Sequence, residues 1–177
     1  ALVSHDRELT EDAFYNWAKL AFDLNEDTSV FNDYIKAYPA KEQEQRINAY
    51  IAVAALYDRD YEGAVNAYDK IDELDEGMVS NYMKANYLRA NQLVKNGSYR
   101  LAIPCLKAAA YYSDRSSRFN QMSRFWLAES YYRNDQYKEA LDVFTDLYNI
   151  SALYGQKENE VIPYNIAYCH FKNEDYN

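Results

Sequence analysis

The sequence predicts an all-α fold made of antiparallel helix pairs stacked one on the next. Three observations lead there. The stretch from Phe125 to Leu147, FWLAESYYRNDQYKEALDVFTDL, puts Leu127, Ala128 and Tyr131 on one helical face. After the polar break Asn134-Asp135-Gln136 it puts Tyr137, Ala140, Phe144 and Leu147 on another. Spacings of three, four and seven line one side of a helix. The lettering then recurs: Tyr61, Tyr99, Tyr137 and Tyr176 each open a second helix, 38, 38 and 39 positions apart. Alanine stands nine places before each, at Ala52, Ala90, Ala128 and Ala167, and three places after the first three, at Ala64, Ala102 and Ala140. Self-similarity at a fixed period marks stacked repeats, and small side chains where helices cross let the axes approach to about 8–10 Å. Finally, four glycines and three prolines in 177 residues leave too little turn chemistry for a hairpin-rich β fold.

Taken in order, residues 1–10 are mixed and polar, with a cap at Thr10 ahead of Glu11-Asp12-Ala13. A first pair, over 10–39, runs through Phe14, Trp17, Ala18, Ala21 and Phe22, breaks at Asn25-Glu26-Asp27, and continues through Val30, Tyr34 and Ala37. It is degenerate, with Asp27 in the tyrosine position and Val30 in the alanine position, and Tyr38-Pro39 ends it. The second pair, 41–75, carries Ile47, Ile51, Ala52, Ala55 and Leu56, then turns at Asp58-Arg59-Asp60, where Asp60 is suited to cap the helix of Ala64, Tyr68 and Ile71. The third pair, 77–113, turns at Asn96-Gly97-Ser98, with glycine for the left-handed conformation and serine to cap. Pro104 falls inside its second helix and predicts a bend or a late helix start. The fourth pair, 116–149, begins near Ser116 or Ser117. Ile150 to Glu160 reads as irregular, and Pro163 as a first-turn residue of an incomplete fifth unit over 160–177. Half a repeat cannot bury its stripe alone. Further repeats are therefore expected beyond residue 177, or some other cover for that end, with Tyr168 and Phe171 partly exposed.

This pattern resembles the tetratricopeptide repeat, a helix–turn–helix with small residues at two fixed positions and aromatics around them. The resemblance covers nearly the whole chain, most strongly from residue 48 onward, and implies a right-handed superhelical solenoid of about four and a half repeats. The family period is 34 residues. The later units here exceed it by four or five residues, roughly one turn, which keeps the stripe facing the same way. In that family the first helix of each repeat lines a concave groove that binds another protein. Carried over by register, this face holds Tyr15, Lys19 and Phe22, then Tyr50, Val53 and Tyr57, then Lys84, Tyr87, Asn91 and Lys95. It continues with Phe125, Glu129, Tyr132 and Arg133, and with Tyr164, Tyr168 and Lys172. A tyrosine at such a place serves equally well to pack against the neighbouring repeat. One subclass grips a C-terminal carboxylate with lysine, asparagine and arginine over three successive repeats, and the corresponding residues do not assemble here.

The implied role is a non-enzymatic scaffold or adaptor whose partner is a protein or peptide of mixed acidic and apolar character. Two alternatives remain: a small-molecule or glycan-binding module, or the recognition region of a larger enzyme or envelope-assembly protein. A passive spacer is a third. The chain also looks like part of the long multi-repeat proteins common in bacteria, so cytoplasm and cell envelope both stay open.

Composition narrows the chemistry further. The formal charge of −9 sets the chain against nucleic acid, whose phosphates need surplus lysine and arginine. No apolar run is long enough to span a bilayer. Cys105 and Cys169 read as free buried thiols rather than a disulfide or zinc set. No catalytic or phosphate-binding motif occurs, and no cofactor or metal is expected. His5 lies near the terminus and His170 in a packing position, while Asp72, Glu73, Asp75 and Glu76 lack the alternating spacing of a calcium loop. The 20 tyrosines suit thin layers in which a ring is buried and its hydroxyl stays wet.

Overall fold

The structure is a computed structural model that describes residues 2–25, 27–150 and 157–173. Among the described residues it contains nine α-helices and no strand: α1 (Leu2–Asn25), α2 (Ser29–Ala37), α3 (Lys41–Tyr57), α4 (Tyr61–Tyr68), α5 (Glu76–Lys95), α6 (Tyr99–Tyr111), α7 (Arg118–Arg133), α8 (Tyr137–Tyr148) and α9 (Lys157–Lys172). Each helix packs on the next along the chain, and α3 also touches α5.

The recurring small residues sit where the helices meet. Ala52, Ala90 and Ala128 in the first helices, and Ala64, Ala102 and Ala140 in the second, are fully buried. Ala18, nine places before Asp27, extends the first series one unit earlier and is also fully buried. Seven places after each turn aromatic, or after Asp27, come Tyr34, Tyr68, Leu106 and Phe144, all buried. Leu106 and Phe144 each contribute about 1.5–3 kcal/mol by leaving water. Ala167 departs from the series: it is exposed. No described helix covers its side of α9, so the register that buries its counterparts buries nothing there.

The turns share one backbone design. Arg59, Gly97 and Asp135, each two places before the aromatic that opens the next helix, have φ of 63°, 73° and 58°. The following amide donates back across the turn, from Asp60 to the Ala55 carbonyl, Ser98 to Leu93 and Gln136 to Tyr131, at 2.9, 2.8 and 3.0 Å. This left-handed residue with a six-to-one hydrogen bond satisfies carbonyls the helix end would otherwise leave open. Only Gly97 was legible as such a position.

Capping divides by side-chain reach. Asp60 accepts from the Gly63 amide at 2.9 Å, as its sequence position suggested. Asp75 and Ser117, both extended, accept from the Met78 and Asn120 amides. Ser98 makes no side-chain cap, contrary to expectation. Its ψ of 55° does not swing the hydroxyl over the helix end, whereas Asp60 at ψ 76° bridges a similar gap with a longer side chain.

Other expected helix boundaries are corrected. Thr10 starts nothing: α1 is already helical, and the Thr10 hydroxyl donates to the Asp6 carbonyl at 2.6 Å. Pro104 delays nothing, because α6 begins at Tyr99 and continues past it. Pro163 lies well inside α9, not in its first turn. Both prolines are exposed, and each removes one backbone bond without ending its helix. The irregular segment expected over 150–160 is helical from Lys157, and residues 151–156 lie outside the described residues.

Tyrosine hydroxyls tie helices to acids. Tyr34 and the Gln43 amide both donate to Glu11, each at 2.9 Å, joining α1, α2 and α3. Tyr50 donates to Asp23, and Tyr82 to Asp69 at 2.6 Å. Burial and then the Asp23 carboxylate push the Tyr50 phenol up to about 12. Burial followed by a carboxylate partner drives Tyr34 and Tyr82 upward in the same way. Gln43, then Tyr34, holds Glu11 below the usual carboxylate value.

Candidate interaction groove

Helical spacing places Phe125, Glu129 and Arg133 on one side of α7, four residues apart. The packing of α7, α8 and α9 in succession brings Tyr164 and Asn165 of α9 alongside them, together with Tyr99 at the start of α6. These residues line an open depression of about 400 Å³, with Trp126 and Val161 completing the wall. The Arg133 guanidinium donates to Glu129 at 2.8 Å and remains half in solvent, while the Glu129 side chain is only 14% exposed. The second Glu129 oxygen accepts from Asn165 at 3.3 Å. Tyr164 is 67% exposed. An apolar wall thus stands beside one largely buried carboxylate and one half-exposed cation.

Next to this depression the rings of Tyr132, Tyr137, Tyr164, Tyr168 and Phe171 meet in a chain of contacts between 5.5 and 6.4 Å. The Lys172 ammonium stands 5.7 Å from the Tyr137 ring and 5.4 Å from the Tyr168 ring. Donation to Asp135, then burial, pushes the Tyr137 phenol up to about 12.

The residues expected on this face therefore divide. Phe125, Glu129 and Arg133 line the depression, and Tyr132, Tyr168 and Lys172 form the adjoining aromatic and cationic cluster. Phe125 nonetheless belongs to the core more than to an open surface. It is buried, with its ring against Trp126 and Phe144. Tyr87 turns to Phe119 with ring centroids 4.8 Å apart, so it packs between units. Lys84 and Lys95 are exposed on α5 and Asn91 is half-buried there, apart from the depression.

At the other end Phe22, Tyr50, Val53 and Tyr57 line a second depression of about 410 Å³ between α1 and α3. Lys19 stands 4.4 Å over the Tyr50 ring beside it. Sequence reasoning missed Tyr99, Trp126, Val161 and Asn165. Tyr99 was read only as the aromatic that opens a helix, and nothing local marks Asn165 as the group that orients Glu129.

The thiols take no part in the groove. Cys169 is buried and Cys105 half-buried, both free. Burial pushes both upward, Cys169 to about 11. Among the described residues no group of three histidines, cysteines or carboxylates converges to hold a metal, and no helix is long and apolar enough to cross a membrane. Compared with protein-family models, with curated proteins and with solved structures, the chain finds no match in any of the three.

Proposed function

We propose that the chain is an interaction scaffold of tetratricopeptide-like helix pairs wound into a right-handed solenoid, with a binding rather than a catalytic role. Its ligand is an extended or helical peptide of mixed acidic and apolar character, held between α7 and α9. The consecutive packing of the helices and the shared register of their buried alanines support the architecture. One observation carries the binding reading: exposed aromatic surface and a loosely held ion pair share one open depression between the first helices of successive units. Tyrosine, tryptophan and arginine dominate the residues that anchor partners. A four-residue surface pair such as Glu129 and Arg133 is worth only about 0.3–0.5 kcal/mol. A partner carboxylate can therefore take Arg133 at little cost, while Glu129 stays anchored by Asn165.

Peptide display on the chain tests this. The wild type should select peptides combining acidic and large apolar residues, and the double variant Tyr164→Ala, Arg133→Ala should lose them at an unchanged melting temperature. Recovery of the same peptides by the variant, or no selection above background by the wild type, refutes the reading.

A further inference from the structure

Half a turn around α7 from Glu129 and Arg133 lies a different surface. Asn120, Arg124 and Leu127 fall there at 3.6 residues per turn. With Lys107, Ala108 and Tyr111 of α6 and Arg115 of the connecting segment, they border a depression of about 670 Å³. Its chemistry runs against the rest of the chain. On a protein of formal charge −9, it gathers Lys107, Arg115 and Arg124. The carboxylate that answers two of them is Asp146 of α8: Arg115 donates to both its oxygens at 2.6 Å, and Arg124 donates through Nη2. The nearby Asp114 carboxylate is taken by the amide and hydroxyl of Ser116, each at 2.9 Å.

The arginine is not fully used by these contacts. The Arg124 side chain is 16% exposed, and its Nη1 is buried with no protein acceptor. A buried donor without an acceptor is costly, more so on a charged group. Desolvation pulls the Asp146 carboxyl upward, but Arg124 and then Arg115 outweigh it and hold it below the usual carboxylate range. Around these cations the wall is apolar: Leu127, Ala108, and the ring of Tyr111, which is 82% exposed. Lys107 stands 5.6 Å over the buried Tyr131 ring with its ammonium exposed at the rim. A depression of this size, mostly apolar and bordered by cations, is of the kind that takes a small ligand.

We propose that this depression binds a small organic acid, its carboxylate on Arg124 and Lys107 and its aromatic or aliphatic body on Leu127 and Tyr111. This site is separate from the peptide groove, and its test reads out independently of it. The full chain is titrated calorimetrically with indole-3-butyrate, its primary amide and inorganic phosphate. The acid should bind at least about tenfold more tightly than either of the others, because only it supplies both the charge-assisted bonds and the apolar contact. Lys107→Gln with Tyr111→Ala, both exposed, should weaken the acid about tenfold at an unchanged melting temperature, and Arg124→Gln should remove binding. Equal binding of acid and amide, phosphate binding as tight as the acid, no measurable binding of the acid, or full binding by the Lys107→Gln, Tyr111→Ala variant would each overturn the proposal.

Discussion

Replacing Ala128 by leucine puts the helix-crossing geometry under direct test. Ala128 is fully buried, within the cluster that also holds Ala140, Phe144 and Leu147. Leucine adds three carbons where the neighbours already enclose the side chain completely, so α7 and α8 must separate or side chains must leave their rotamers. Overpacking of that kind costs about 1–3 kcal/mol. For a chain of this length each kcal/mol moves the midpoint by about 2–4 °C, which gives a loss of roughly 2–12 °C. Ala167 supplies the control, because it occupies the same register on α9 but is exposed. Ala167→Leu should stay within about 0.5 kcal/mol of wild type, roughly 2 °C. Thermal melts followed by circular dichroism measure both, with Ala52→Leu and Ala90→Leu expected to follow Ala128. If Ala128→Leu melts with the wild type, or Ala167→Leu falls as far, the buried alanines are not what sets the helix spacing.

Two further outcomes follow from the turns and from the tyrosines. Gly97→Ala forces an L side chain to φ 73° and should cost about 1–2 kcal/mol although nothing obstructs the added carbon. Arg59→Gly relieves the same conformation, at the price of a freer unfolded chain, and should be neutral or mildly stabilising in urea unfolding; the opposite order contradicts the turn design. Tyr34, Tyr50, Tyr82 and Tyr137 have phenols raised in the folded state. Their contribution is full below the unfolded tyrosine value of about 10 and is lost as pH climbs through the folded values. Unfolding free energy measured from neutral to strongly alkaline pH should therefore fall from about pH 10 upward, less steeply when Tyr50 and Tyr82 are replaced by phenylalanine. A profile that the double variant leaves unchanged contradicts the assignment.

The parts of the fold that were legible from sequence are those written in large and small apolar letters. Alternation of alanine with tyrosine, leucine or phenylalanine at fixed spacing marks both helices of a pair and the side that each buries, which is why Ala64, Ala102 and Ala140 could be placed in advance. Helix starts were less legible where residue identity and backbone conformation part company. Ser98 has the composition of a cap but a backbone that does not present its hydroxyl, while Arg59 and Asp135 hold a conformation usually left to glycine. Prolines misled in the same way, since an exposed proline interrupts one hydrogen bond without ending a helix. In the groove, Glu129 and Arg133 share one side of α7, as their four-residue spacing predicts. Register could not tell Phe125, which turns into the core, from Tyr164, which does not, because that depends on how far α8 covers α7. Tyr99, Val161 and Asn165 come from other helices and carry no mark of their own.

Tyrosine joins neighbouring helices of this chain through a ring that packs and a hydroxyl that donates. The surplus of carboxylates provides acceptors for that hydroxyl. Glu11, Asp23 and Asp69 each receive a phenol from a neighbouring helix. An exposed ion pair such as Lys41 to Asp72 adds at most about 1 kcal/mol. A phenol-to-carboxylate bond needs no cation and places one directional contact at the seam between layers, with the ring already fixed by packing. Net negative charge and high tyrosine content thus work together where Tyr34, Tyr50 and Tyr82 meet their carboxylates. Around Asp146 of α8 the carboxylate is met by two arginines instead of a phenol.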